Sequence, residues 1–193
     1  MASQIWNVPN TLTMLRLVLS VVLFAAIACG WFVPAIVLFV VTALTDFVDG
    51  WWARRFNQCT QLGRILDPFA DKILICGTFI FLAALPRMQV DWKLIQPWMA
   101  VLIMGREMIV TAIRGALEGS GVDFRAKWAG KVKMFFQCIA CVAALVYLSF
   151  AEGTEPQWLY WTLVVSVWVT ILSTLQSGFG YIVAAAKICM KQP

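Results

Sequence analysis

An all-α bundle of six transmembrane helices, a polytopic membrane protein with both termini in the cytoplasm, is the fold this sequence predicts. Three observations carry it. Of the 193 residues, 62% are hydrophobic and only 13% are charged, where a soluble domain is about 45–50% apolar and about 25% charged. Apolar runs long enough to span a bilayer fall near 11–31, 32–53, 65–86, 94–118, 130–151 and 158–186. Lysine and arginine gather in every second break between them. Helices are required because an open sheet cannot satisfy its backbone in hydrocarbon.

The breaks carry turn or charge signals. Gly30 and Pro34 divide the first two runs, and the polar stretch Arg54 to Arg64 divides the second and third. Pro86 to Lys93, Glu118 to Gly130 and Glu152 to Gln157 make the remaining breaks. The N-terminus has no basic segment directly before a short apolar core, so the first run is expected to stay as a span. Arg54, Arg55, Arg64, Arg125, Lys127, Lys187 and Lys191 fall on one side, together with both termini. The other side has Arg87 and Lys93, then a loop with Glu152 and Glu155 and no cation. The richer side is read as cytoplasmic. Trp6, Trp31, Trp51, Trp52, Trp92, Trp98 and Trp158 lie near run ends, which suits an interfacial belt. With no repeat, low-complexity stretch or soluble domain, residues 1–193 read as one membrane domain.

Composition also excludes chemistries. There is no histidine, which removes Ser-His-Asp triads and imidazole zinc sites. Cys138-x-x-Cys141 has no flanking ligands and reads as small residues on a helix. The net charge of +5 is explained by loop positions and implies no nucleic-acid partner.

Four aspartates remain to be explained. Asp46 and Asp49 are three apart at the end of the second run, and Asp67 and Asp71 are four apart at the start of the third. On helices, each pair shares a face. Two helix ends can then aim four carboxylates at one point, where they must protonate or bind cations. Oxygen donors suit Mg²⁺ or Mn²⁺. Gly50 and Ala53 are small, so a ligand can approach the backbone closely, and Arg54 shares the Gly50 face with a fork that suits phosphate. Gly63 is expected to let the chain turn before the third helix. Singly, any aspartate could cap a helix or pair with Arg54, Arg55 or Arg64. Together they fit a metal–diphosphate site.

A second constellation is cationic. Arg106 and Arg114 are eight apart, within about 80° of each other on a helix, and Lys131 and Lys133 follow across a short loop. Arg106 lies deep in an apolar run, where a lone cation is costly. Glu107 is adjacent and off its face, so pairing with it is not expected. The four cations could converge on a second anion. Alternatively, Arg106 pairs with a motif aspartate while Lys131 and Lys133 touch lipid phosphates.

Asp46-x2-Asp49-Gly50-x2-Ala53-Arg54-x8-Gly63-x3-Asp67-x3-Asp71 resembles the CDP-alcohol phosphotransferase signature at every position. The segments NVPNTLTMLR (7–16), REMIVTAIR (106–114) and WAGKVK (128–133) resemble the bacterial phosphatidylglycerophosphate synthase branch. The resemblance covers essentially the whole chain. It implies transfer of a phosphatidyl group from CDP-diacylglycerol to sn-glycerol 3-phosphate with release of CMP, in phosphatidylglycerol and cardiolipin synthesis. It further implies a six-helix homodimer of the bacterial inner membrane with its site facing the cytoplasm. Asp46, Asp49, Asp67 and Asp71 would hold two Mg²⁺, with Mn²⁺ possible in their place, and Asp71 would be the base. Asn10, Thr13, Gly50, Ala53, Arg54 and Thr60 would lie along the CDP-diacylglycerol, and Arg106, Arg114 and Lys131 would bind the acceptor phosphate. Two other readings stand beside this one. Inositol phosphate also brings a phosphate as acceptor, whereas serine does not. A divalent-cation transporter would use carboxylates in helices but leaves Gly50, Ala53 and Arg54 unexplained.

Overall fold

Gly30 ends the first helix as its sequence position suggests. Its φ is +76°, a left-handed conformation that glycine adopts without a Cβ penalty. The Trp31 amide donates to the Ala26 carbonyl at 2.8 Å and the Gly30 amide to the Ile27 carbonyl at 3.1 Å. These two bonds make a Schellman motif, which satisfies carbonyls a helix end would otherwise leave open in lipid. The computed structural model describes residues 8–55, 61–119 and 128–189, with side chains described within 11–45, 69–113 and 132–179.

Six long helices and one short one are described: α1 (Val8–Ala28), α2 (Phe32–Arg55), α3 (Gln61–Ala84), α4 (Pro86–Gln89), α5 (Pro97–Gly119), α6 (Trp128–Ser149) and α7 (Gln157–Cys189). Proline opens α4 and α5, where a missing N–H costs nothing. The expected runs correspond to the six long helices. One expectation is corrected. Gly63 lies inside α3, which begins at Gln61, so the glycine does not turn the chain ahead of the helix.

Helix pairings close into a ring. α1 packs on α2, α2 on α6, α6 on α7, α7 on α5, α5 on α3, and α3 on α1, while α3 also touches α6 across the middle. Phe39, Phe79, Leu82, Ile103 and Leu145 fill the interior. Gly77 on α3 makes room for the Phe24 ring of α1, since a Cβ there would stand 2.2 Å from its tip. That ring stacks on Phe81 at 5.0 Å between centroids.

The outer faces are apolar. Val18, Val21, Val37, Leu44, Leu172 and Phe179 are all exposed. Among the described residues, three helices are long and apolar enough to cross a membrane, over Thr11–Ala28, Val132–Ser149 and Gln157–Phe179, and α2 carries a shorter apolar stretch, Phe32–Thr45. Several hydroxyls on the long helices bond back one turn, as Thr42 on α2 does to the Leu38 carbonyl at 2.6 Å and Thr78 on α3 to the Leu74 carbonyl at 2.7 Å. This satisfies a polar group that lipid would leave bare. α3 and α5 carry the charges that interrupt their apolar character, among them Asp71, Lys72, Arg106 and Glu107. Cys138 and Cys141 are unbridged thiols on α6, in keeping with their reading as packing residues.

The end of the bundle away from the aspartates is latched by side chains. Arg87 on α4 donates to the Leu148 and Phe150 carbonyls at 3.3 and 2.6 Å. It also pairs with Glu155 at 3.1 Å and lies 5.1 Å from the Tyr147 ring centre. Tyr160 donates to Asp91 Oδ2, and the Lys93 amide to Oδ1 at 3.0 Å. Trp31, Trp92, Trp98 and Trp158 at this end are exposed, as an interfacial belt requires. Trp6, Trp51 and Trp52 lie outside the residues with described side chains.

Glu155 is held down to about 2 by its own backbone amide first, then by the Tyr147 hydroxyl and the Arg87 guanidinium. The Tyr160 hydroxyl and then the Lys93 amide hold Asp91 below the usual carboxylate range. Depressed carboxylates stabilise the fold above their unfolded values, and the gain is lost as pH falls through the folded ones. The latch should therefore stay closed at neutral and mildly acidic pH. Arg87→Ala removes charge-assisted bonds and is expected to cost about 2 kcal/mol. A clear drop in the detergent-solubilised thermal midpoint checks this; an unchanged midpoint contradicts it.

Candidate active site

The signature sits where chain connectivity brings helix ends together. α2 carries Asp46, Asp49, Gly50, Ala53 and Arg54 in its last turns, and α3 carries Asp67 and Asp71 near its start. Only residues 56–60 join them. The expected helical spacing of both aspartate pairs is therefore present in the backbone. The side chains of Asp46, Asp49, Ala53, Arg54 and Asp67 lie outside the described residues, as do Thr60 altogether and the Asn10 side chain. Convergence of all four carboxylates is thus not described. Asp71 is half-buried. Pro68 inside α3 offers no N–H to the Arg64 carbonyl, which loosens the helix beside the motif. Among the described residues no group of three or more acidic, histidine or cysteine side chains could hold a metal; three of the four aspartates fall outside them. Four carboxylates are a hard-oxygen donor set, which fits Mg²⁺.

The second constellation is better defined. Asp71, Arg106 and Ser177 each stand roughly three turns in from the same end of α3, α5 and α7. Arg106 Nη1 lies 3.1 Å from Glu107 Oε1, and Nη2 donates to Ser177 Oγ at 2.7 Å. Lys133 Nζ forms an ion pair with the same Glu107 oxygen. This overturns the expectation that Glu107, being adjacent, would not pair with Arg106. Both side chains are long enough to curl toward one point inside the ring, where each relieves the other's burial cost. Lys133 is only 3% exposed, so it does not reach out to lipid phosphates. It lies within electrostatic range of Arg106, Asp71 and Lys72, which ties the cationic cluster to the aspartate motif. Arg114 lies two turns beyond Arg106 on α5, and Lys131 lies in the first turn of α6; both side chains lie outside the described residues.

A groove of about 240 Å³ runs between α3 and α5 beside this cluster. Phe24, Cys76, Gly77 and Met104 form its apolar wall, and Lys72 and Glu107 its polar edge. On α1, Thr13 and Arg16 are fully buried one turn apart. Arg16, Glu107, Ser177 and Gly178 were not singled out from the sequence as site residues. Arg16 and Glu107 carried a usable signal, since ionisable groups in apolar helices are functional by default.

The chain is similar to known proteins over most of its length. The family model for CDP-alcohol phosphatidyltransferase matches residues 6–175. A CDP-diacylglycerol–glycerol-3-phosphate 3-phosphatidyltransferase of Bacillus subtilis (strain 168) is 31% identical over 91% of this chain and 93% of that protein. A protein of the same name from Salmonella choleraesuis is 31% identical over 93% and 95%. A probable phosphatidylglycerophosphate synthase of Mycobacterium tuberculosis (strain CDC 1551 / Oshkosh) is 35% identical over 96% of this chain and 84% of its own length. The chain belongs to the CDP-alcohol phosphatidyltransferase family.

Proposed function

We propose that this protein transfers the phosphatidyl group of CDP-diacylglycerol to sn-glycerol 3-phosphate, giving phosphatidylglycerophosphate and CMP. The observation that carries the reading is the eight-position signature, borne on the adjoining ends of α2 and α3 in a chain of this family. The names of the relatives support the acceptor. So does the buried Arg106–Lys133 cluster beside Asp71, which offers a place for a second phosphate. Six long helices cross the bacterial inner membrane, both termini and the site face the cytoplasm, and two copies pair.

Asp46, Asp49, Asp67 and Asp71 hold two divalent cations in this reading. When bound, these neutralise the diphosphate and the departing CMP. Gly50, Ala53, Arg54 and Thr60 line the nucleotide, with Asn10 and Thr13 beside it. Arg106, Arg114 and Lys131 take the acceptor phosphate and so orient its free hydroxyl. Asp71 accepts the hydroxyl proton as the oxygen attacks the phosphorus bearing diacylglycerol. The bond from that phosphorus to the CMP oxygen breaks, and CMP leaves with the electron pair. Phosphoryl transfer needs alignment and charge neutralisation more than covalent help, and the acyl chains can remain in the bilayer throughout.

An acceptor panel tests the reading. Purified protein with CDP-diacylglycerol and Mg²⁺ should release CMP with glycerol 3-phosphate. Release that needs inositol phosphate and ignores glycerol 3-phosphate would refute it, as would cation flux without transfer. Arg114→Ala should raise the KM for glycerol 3-phosphate roughly tenfold, with little change for CDP-diacylglycerol. An equal rise in both would contradict its role.

A further inference from the structure

We infer that Glu107 is a positioning residue, which fixes Arg106 and balances Lys133 so that two cations can stand together where the acceptor phosphate binds. The inference rests on the proposed acceptor site and adds to it the residue that assembles it.

The geometry is specific. One Glu107 oxygen takes both the Arg106 Nη1 contact at 3.1 Å and the Lys133 ion pair. The other end of the guanidinium is held by Ser177 of α7 at 2.7 Å. Gly178 leaves room for the arginine stem, since a Cβ there would stand 3.2 Å from Arg106 Cγ. The guanidinium is thus pinned at both ends by groups on two helices, which fixes its plane. A planar fork binds phosphate well only when its plane is set.

Charge makes the same point. Arg106 and Lys133 are buried close enough to repel, and two cations in a low-dielectric interior need a carboxylate between them. With Glu107 in place the trio keeps a net positive charge, which a phosphate can still use. Without it the cations separate, and the anion site is lost even if the helices remain packed. Asp71 and Lys72, from α3, also act on Lys133, and Glu107 is seen in contact with both Lys133 and Arg106.

The test compares KM values of the full-length purified protein for its two substrates. Glu107→Gln should raise the KM for glycerol 3-phosphate roughly tenfold and move that for CDP-diacylglycerol less than about twofold. Glu107→Asp, which keeps the charge on a shorter stem, should recover part of the loss. Equal rises in both KM values, a fall in kcat alone, or no change would overturn the inference. Arg106→Ala separates the two levels. If it leaves the glycerol 3-phosphate KM unmoved, the acceptor-site reading fails. If it raises that KM while Glu107→Gln does not, only the positioning role fails. Should Glu107→Gln not fold, Ser177→Ala removes the other anchor without exposing a charge. It should raise the same KM about threefold, and an unchanged value would overturn the inference.

Discussion

Asp71→Asn is expected to lower phosphatidyl transfer by about a thousandfold or more while leaving the protein folded. The substitution keeps the side chain's size and removes both its charge and its proton affinity. In the proposed reaction it therefore takes away the group that accepts the acceptor proton, and one of the four carboxylates that gather divalent cations. The fold has little reason to respond. Asp71 is half-buried near the start of α3, while that helix is anchored further along by Leu74, Ile75, Phe79 and Leu82. An unchanged thermal midpoint with CMP release near background is the expected pair of results. Near-normal turnover would remove Asp71 from the chemistry.

Chelation should have an effect of similar size. EDTA is expected to stop CMP release completely, and excess Mg²⁺ or Mn²⁺ to restore it. The reason lies in the proposed donor set: four converging aspartates, with no histidine in the chain, would favour hard cations, and without them the carboxylates would repel both each other and an incoming diphosphate. Activity that survives exhaustive chelation would contradict the assignment of the aspartates. Restoration by Zn²⁺ alone would contradict the donor argument.

The helices were legible because lipid imposes a simple rule on composition. Each apolar run corresponds to one long helix, with ends displaced by a few residues. The displacement at α3 has a cause: Gln61-Leu-Gly-Arg continues the helix backward through Gly63, where glycine was read as a turn. The short helix Pro86–Gln89 falls within a break between runs, since four residues give no periodic pattern. The aspartates are legible as a candidate site because one pair at helical spacing falls on each of two segments that one short link joins. What could not be read were pairings between distant parts of the chain. Arg87 meets carbonyls at Leu148 and Phe150, and Glu107 meets Lys133, only because the ring places α4 beside the end of α6 and α5 across from its start. Periodicity on one helix says nothing about which neighbour a side chain will find. At Arg106, adjacency does not prevent contact with Glu107, because two flexible stems bring the charged ends within 3.1 Å.

Counting bound ions tests the two-cation site most directly. Purified protein would be titrated with Mn²⁺ beside a non-reacting CDP-diacylglycerol analogue and followed by electron paramagnetic resonance. Two Mn²⁺ per chain are expected, spin-coupled at about 4 Å, with the coupling lost in Asp46→Asn. A single isolated Mn²⁺, or none retained by the protein, would contradict it.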